Sequence, residues 1–363
     1  MSVQSEIDRI ITAVGNAYSK ILEKGGTVPA SQTVANLATA IDSIPAGGLE
    51  LVANVANGAT VTATLGSKTV TGVSVDGQAR LKIPEEGKWT VSATIGTTVS
   101  DQQEVIVPAT VDFALPSPVL NDTSWAIIKQ VSDAGKGQNY WAVGDCKEIT
   151  MNGKVSDGLT LTNYSAWVFI IGFNHNAGRE GNGIAFQGFK TTNNGTPVCL
   201  VDSGYGHQET SGTWFNMNNI KDTNGGWKVS LMRKNIMPLI KAAFPSDLKA
   251  VIKTSTIFTT QGSGNGACTA TQDDVFLLAE YEVFGTHRHA STQEPNYLKQ
   301  YSYYSAGNSK VKYWHNETRY TATWWLRSPR DDESSFFCNV GGAGNADSYS
   351  AFYSLGVPPC FKV

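Results

Sequence analysis

The last forty residues, WWLRSPRDDESSFFCNVGGAGNADSYSAFYSLGVPPCFKV (324–363), carry the reading of the whole chain. Trp324, Trp325 and Leu326 are large and apolar and suit a buried strand. Arg327, inside that strand, calls for a carboxylate to tether it in the core. Val357 and Phe361 fit a closing strand. Between these ends the composition changes sharply. From Arg330 to Leu355, 18 of 26 residues are Gly, Ser, Asn, Asp, Ala or Tyr, and none is Lys, Gln, Met or Trp. Residues of these types cost little when exposed. Tyr and Phe offer broad contact area, and Ser, Gly and Asp offer adaptable hydrogen bonds, as in antibody binding loops.

Upstream, three segments differ in pattern. In residues 1–48, Ile7, Ile11, Val14, Tyr18 and Ile21 fall on one helical face, which Gly25-Gly26 ends. A second helix is expected with Ser31 as its N-cap and Val34, Leu37, Ala38 and Ile41 as its stripe. Pro45-Ala-Gly-Gly48 closes the region. Helices this short need a partner, so the segment reads as an oligomerising or attachment module. Residues 49–116 alternate with period two, as in Val61/Ala63/Leu65 and Trp89/Val91/Ala93/Ile95. Asp76-Gly77 is a hairpin-turn signal, and the segment reads as an immunoglobulin-like β-sandwich acting as a spacer.

Residues 117–363 form one large α+β domain. Trp125 opens a helix capped by Ser124 or Thr123, and WVFIIGF (167–173) is a buried strand. GWKVSLMRKNIMPLI (226–240) reads as a helix, and DVFLLAEYEVF (274–284) as an apolar strand. The expected fold is therefore mainly β, with a short helical N-terminus.

The chemistry-bearing motifs are sparse. There is no Walker-type loop, HExxH or GxSxG, and Gly262-Ser-Gly-Asn-Gly266 reads as a loop. His287 and His289 could share a strand face but lack further ligands for a metal. His175 and His207 read as hydrogen-bonded structural residues. Glu294-Pro-Asn296 matches a calcium-dependent sugar-binding tripeptide, but a Trp-Asn-Asp partner is missing: Trp314-His-Asn316 stands at that distance. The five cysteines read as free thiols, with Cys338 and Cys360 as possible neighbours on adjacent strands. The formal charge of −3 gives no reason to expect nucleic acid. No run reaches the length of a membrane span, and MSVQSEIDRI has no signal-peptide core. No cofactor or metal is expected, and no enzyme activity.

TSWAIIKQVSDAG, YWAVGDCKEITMNG, VFIIGFNHN, GGWKVSLMR, FPSDLKAVIK, FLLAEYEVFG, YWHNETRY, WWLRSP and GVPPCFKV occur in that order. Together they resemble a family of C-type-lectin-fold domains from phage and gut bacterial proteins, some of which are variable proteins of diversity-generating retroelements. KGGTVPASQTVANLATAIDSIP resembles N-terminal regions of phage tail-associated proteins. In such systems adenine-directed copying errors diversify AAC codons, which cannot become Lys, Gln, Met, Trp or Glu. The tail obeys this, with Glu333 as the exception.

The resemblance implies a fixed frame: WWLRSP, Phe337-Cys-Asn-Val340, Gly344-Asn-Ala346, Ala351, Ser354 and Gly356 through Val363. It implies variable, ligand-binding positions at Arg330, Asp331, Asp332, Ser335, Phe336, Gly341, Gly342, Ala343, Asp347, Ser348, Tyr349, Ser350, Phe352, Tyr353 and Leu355. It further implies a virion protein made in the host cytoplasm, a homo-oligomer with a trimer favoured. Its partners would be phage tail or particle proteins and a bacterial surface protein or glycan. The alternatives are an invariant structural tail protein and an enzyme of the formylglycine-generating type, which needs a close cysteine pair.

Overall fold

A computed structural model describes residues 3–23, 27–43, 49–96, 98–100, 102–113, 115–262 and 264–363. Gly25-Gly26, Pro45 through Gly48, and Ser263 of the glycine-rich loop lie outside the described residues. The chain divides into two compact units, Met1–Leu115 and Pro116–Val363, and is mainly β.

In the first unit, α1 (Val3–Glu23) and α2 (Val34–Asp42) share a core of Tyr18, Ile21 and Ala40, with Val14, Val28 and Leu37 at its edge. Tyr18 Oη donates to the Thr33 carbonyl at 2.8 Å. Two expectations change here. Ser31 does not cap α2: the N-cap is Thr33, without a side-chain bond, while the Ser31 carbonyl accepts from Thr33 N–H and Asn36 Nδ2. The α2 stripe is also rotated. Ala40 is buried, whereas Val34 and Ile41 are 64% and 50% exposed.

Eight strands follow: β1 (Leu49–Asn54), β2 (Thr60–Leu65), β3 (Lys68–Val73), β4 (Gln78–Ile83), β5 (Lys88–Ile95), β6 (Thr98–Val99), β7 (Gln103–Ile106) and β8 (Ala109–Asp112). One sheet runs β4-β1-β8. The other runs β3-β2-β5, with β6 and β7 both paired to β5. The period-two residues form one core, with Leu51, Ala53, Leu81 and Val111 from the first sheet and Val61, Ala63, Trp89 and Val91 from the second. That is the sandwich the alternation predicts. Asp76 and Gly77 have φ of +52° and +84°, and Val75 bridges Gln78. A tight turn with two positive φ values explains the pair. The turn does not join a simple hairpin, because β3 and β4 then enter different sheets.

In the second unit, α3 (Trp125–Asp133) is capped by Ser124, whose side chain accepts from Ile127 N–H. β9 (Cys146–Ser156), β10 (Leu159–Phe173) and β11 (Ile184–Lys190) precede a short β12 (Val198–Cys199), the hairpin β13 (Ser255–Gly262) and β14 (Asn265–Asp273), and β15 (Val275–Phe276). Then come β16 (Lys312–Trp314), β17 (Glu317–Ala322), β18 (Trp324–Pro329), β19 (Phe336–Val340), β20 (Ala346–Ser350) and β21 (Cys360–Lys362). The central antiparallel sheet runs β15-β21-β11-β10-β9, and β18-β19-β20 form a separate sheet. WVFIIGF is the inner half of β10, with Val168 through Ile171 wholly buried.

Two elements depart from their sequence patterns. GWKVSLMRKNIMPLI is not one helix: it breaks at Ser230, whose ψ is 147°. Ser230 Oγ accepts from Arg233 N–H at 3.1 Å and so starts a new helical stretch, which continues through Met237–Ala243. DVFLLAEYEVF is a strand only at Val275–Phe276 and becomes a helix over Glu280–Phe284. Both glutamates of that helix are buried. Glu282 accepts from Ala279 N–H at 2.9 Å, and Glu280 accepts the N–H groups of Arg288, His289 and Ala290. An apolar-run reading cannot anticipate carboxylates turned inward.

Candidate functional site

β18 anchors the C-terminal sheet. All six of its residues are buried. The two indoles are fixed by backbone carbonyls, Trp324 Nε1 to Lys310 at 2.9 Å and Trp325 Nε1 to Phe215 at 2.8 Å. Arg327, wholly buried, forks onto Glu282 with bonds of 2.6 and 2.7 Å. The expected carboxylate tether is thus Glu282. The frame residues Phe337, Cys338, Asn339, Val340, Ala351, Ser354 and Val357 are equally inaccessible.

On this support β19 and β20 pair from Phe336↔Ser350 to Val340↔Ala346. The strand period divides β20. Asp347 and Tyr349 face solvent, while Ser348 and Ser350 turn inward. Tyr349 is 42% exposed. Its ring meets that of Tyr353 edge-on at 4.7 Å, and Tyr353 meets Phe352 at 5.2 Å. At the same end of the hairpin, Arg330 Nε donates to Asp332 at 2.6 Å and its Nη1 to Ser348 Oγ at 3.0 Å. That bond holds the Asp332 carboxyl below its usual range. Ser335 Oγ donates to Glu333 at 2.7 Å. Asp331 is exposed, with its N–H bound to the His289 carbonyl.

Not every variable position proposed from the resemblance reaches the surface. Leu355 belongs to the main core. Ser348 and Ser350 are buried by strand alternation, and Gly341 by the turn that Gly344, at φ +84°, closes. Phe352 is 5% exposed but stands outside the main core, with Lys221 Nζ 5.1 Å above its ring. Gly342 and Ala343 sit at the Val340/Ala346 end of the hairpin. They are about 13 Å along the strands from the aromatic group, at about 3.3 Å per residue. The exposed and half-buried positions are Arg330, Asp331, Asp332, Ser335, Phe336, Gly342, Ala343, Asp347, Tyr349 and Tyr353.

A second wall, unrecognised in the sequence, completes the aromatic group. Gln208 Nε2 donates to Tyr353 Oη at 2.8 Å, and Glu209 N–H to the Phe352 carbonyl at 2.7 Å. Asn218 N–H donates to the Ala351 carbonyl at 2.9 Å. Lys221 caps Phe352, and Ile220 beside it is 63% exposed. Residues 204–224 have neither helix nor strand. The available signal was their length without periodicity, since long irregular loops in compact domains are commonly functional.

The remaining candidates do not form a competing site. His175, Glu180 and Glu282 place ligand-type atoms within 4.8 Å of one another. Both carboxylates already face cations, Glu180 with Lys362 and Glu282 with Arg327. A dication would have to displace one of these pairs, so the group fits a charge-balanced core rather than a metal centre. The sequence reads His175 as hydrogen-bonded, but its Nε2 has no partner among the described residues. Its ring stacks on Tyr301 at 3.6 Å, and burial pushes its pKa down to about 4. His207 is exposed, and its carbonyl accepts from Ser354 N–H. Cys338 and Cys360 are free and lie in different sheets, and burial raises both thiols.

Glu294 of the calcium-like tripeptide points into the interior, where Ser328 Oγ donates to it at 2.8 Å. Burial pushes its pKa up to about 8. A carboxyl raised on folding adds stability below its unfolded pKa of about 4.3 and loses it as pH rises through the folded value. Wild type should therefore weaken relative to Glu294→Gln between those limits, by at most ~1.4 kcal/mol per pH unit. Urea unfolding of both proteins near the two ends of the window tests this, and a gap independent of pH contradicts it.

Residues 209–363 match the family described as a domain of unknown function (DUF6273). The match begins in the second wall of the aromatic group and covers β13 through β21, leaving out β9–β12 of the same unit. No curated protein and no solved structure matches the chain.

Proposed function

We propose that the chain is a phage or prophage ligand-binding protein that recognises a bacterial surface protein or glycan without turnover. In this reading the C-terminal unit is a C-type-lectin-fold variable domain of the retroelement-diversified kind. The observation that carries the reading is the placement of Tyr349 and Tyr353, which reach solvent from a hairpin whose other strand, β19, is almost wholly buried. Ten of the fifteen proposed variable positions are exposed or half-buried, and the frame is buried apart from Gly344, Asn345 and Ala346 at the hairpin turn, as a replaceable surface on a stiff support requires.

Aromatic anchors at the centre of an interface contribute about 2 kcal/mol or more each. Tyr349→Ala/Tyr353→Ala should therefore lower retention of labelled protein on host cells by at least about tenfold, while the variant stays folded. Unaltered retention by a folded double variant removes the reading.

An invariant structural tail protein is the second reading, favoured by the burial of Leu355, Ser348, Ser350, Gly341 and Phe352. Sibling sequences separate the two: differences confined to the exposed positions favour diversification, and evenly scattered differences favour an architectural role. The enzyme alternative draws no support from Cys338 and Cys360, which are buried in separate sheets.

A further inference from the structure

We infer that the cleft between the short helix Ala177–Glu180 and the 295–300 segment binds the oxyanion, a phosphate or carboxylate group, of a small ligand with an apolar body. The cleft shares no residue with the Tyr349–Tyr353 group, and the inference does not depend on what that group binds. Its volume is about 360 Å³, at the lower end of the range that encloses small molecules.

The charge of its wall is one-sided. Arg179 and Lys299 line it, and no Asp or Glu does. Four glutamates that neighbour lining residues in sequence turn inward instead. Glu180 follows Arg179, Glu280 and Glu282 flank Tyr281, and Glu294 precedes Pro295; each is exposed by 7% or less. All four are answered inside the core. Glu180 faces Lys362 and Glu282 faces Arg327. Glu280 accepts the N–H groups of Arg288, His289 and Ala290, and Glu294 accepts from Ser328. None is left for the two cations outside, and among the described residues Arg179 and Lys299 form no ion pair.

The arginine is held in place without being neutralised. Its guanidinium stands 5.0 Å from the centroid of the Tyr297 ring and 5.8 Å from that of Phe258, and those two rings stack at 5.6 Å. Nη2 donates to the Asn296 carbonyl at 3.3 Å. Nε and Nη1 make no hydrogen bond among the described residues. Contact through ring faces leaves the in-plane N–H groups of a guanidinium available. That planar fork suits the paired oxygens of a carboxylate or phosphate. Tyr297 and Pro295 offer apolar surface beside it for the body of the ligand.

A divalent cation, the ligand that Glu294-Pro-Asn296 suggests as a sequence, has the wrong sign for this wall. The tripeptide's only carboxylate, Glu294, is wholly buried.

Isothermal titration of the full chain at fixed ionic strength tests the assignment, with phenyl phosphate and benzoate as probes and phenol as the uncharged control. At least one of the two anions should bind, one per chain, with a Kd below about 1 mM, and phenol at least about tenfold more weakly. The tighter anion tells a tetrahedral from a planar group. Arg179 is exposed, so its variants keep the fold. Arg179→Gln should weaken binding by at least about tenfold. Arg179→Lys should restore only part of it, because an ammonium group cannot fork. Lys299→Gln should cost less, and its effect should shrink with added salt. Tyr349→Ala/Tyr353→Ala should bind the probes as wild type does, which keeps failure here distinct from failure of the surface-binding reading. A Kd above about 1 mM for both anions, phenol binding as tightly as they do, or Arg179→Gln with unchanged affinity overturns the assignment.

Discussion

Arg327→Met is expected to destabilise the Pro116–Val363 unit by about 3–5 kcal/mol, the usual result of removing one partner of a buried ion pair. Arg327 and Glu282 are 0% and 1% exposed, so no water can replace the lost bonds. The guanidinium also donates to the Leu277 carbonyl at 2.7 Å and to the Phe258 carbonyl at 3.0 and 3.2 Å. One side chain therefore ties β18 to β13 and to the turn that precedes the Glu280–Phe284 helix. Methionine fills most of the volume but leaves an unpaired carboxylate and two bare carbonyls.

The second substitution shows which part of the loss is charge. Arg327→Met/Glu282→Gln removes the orphaned ion, while the glutamine oxygen can still accept from Ala279 N–H. The double variant should recover part of the loss, the signature of coupling between residues in contact. Arg327→Lys should fail nearly as badly as Met, because an ammonium group cannot fork. Urea midpoints of the four proteins decide it. A single variant within about 0.5 kcal/mol of wild type would mean that this pair does not hold the frame.

How much of this was open to sequence reading follows from the range of the forces involved. Arg327 amid Trp324, Trp325 and Leu326 announces a buried partner, because an isolated charge cannot stay in an apolar strand. Which carboxylate answers depends on tertiary structure, and Glu282 lay in a run whose apolar residues suggested a strand. Asp76-Gly77 fixed its turn locally, yet not the sheets its strands join. Ser230 broke a helix whose apolar spacing runs on past it, since a hydroxyl that caps the next stretch leaves that spacing intact. The variable positions come from the family resemblance, which takes no account of this chain's strand period, and so Ser348 and Ser350 are among them although β20 turns them inward. The wall at Gln208 and Lys221 left no pattern, because it meets the aromatic group through a side-chain bond, a cation–ring contact and backbone bonds between residues more than a hundred apart in sequence.

Leu355 and Tyr349 separate the two readings of the tail most sharply, and they should respond to truncation in opposite ways. Leu355 is 4% exposed and packed into the main core, with its N–H bound to the Phe215 carbonyl at 3.2 Å. Leu355→Ala is expected to cost about 2–5 kcal/mol, the transfer term plus the cavity left behind. Tyr349 stands 42% exposed against one edge of Tyr353. Tyr349→Ala is expected to shift stability by no more than about 0.5–1.5 kcal/mol, the worth of one edge-on aromatic contact. A position that costs several kcal/mol when altered cannot be freely rewritten in a protein whose whole stability is about 5–15 kcal/mol. Leu355 should therefore stay large and apolar in every working sibling, even if its codon can mutate, while Tyr349 should vary. Thermal unfolding of the two alanine variants measures the contrast directly. Equal losses at the two sites would place Tyr349 in the frame and leave the aromatic group no surface to offer.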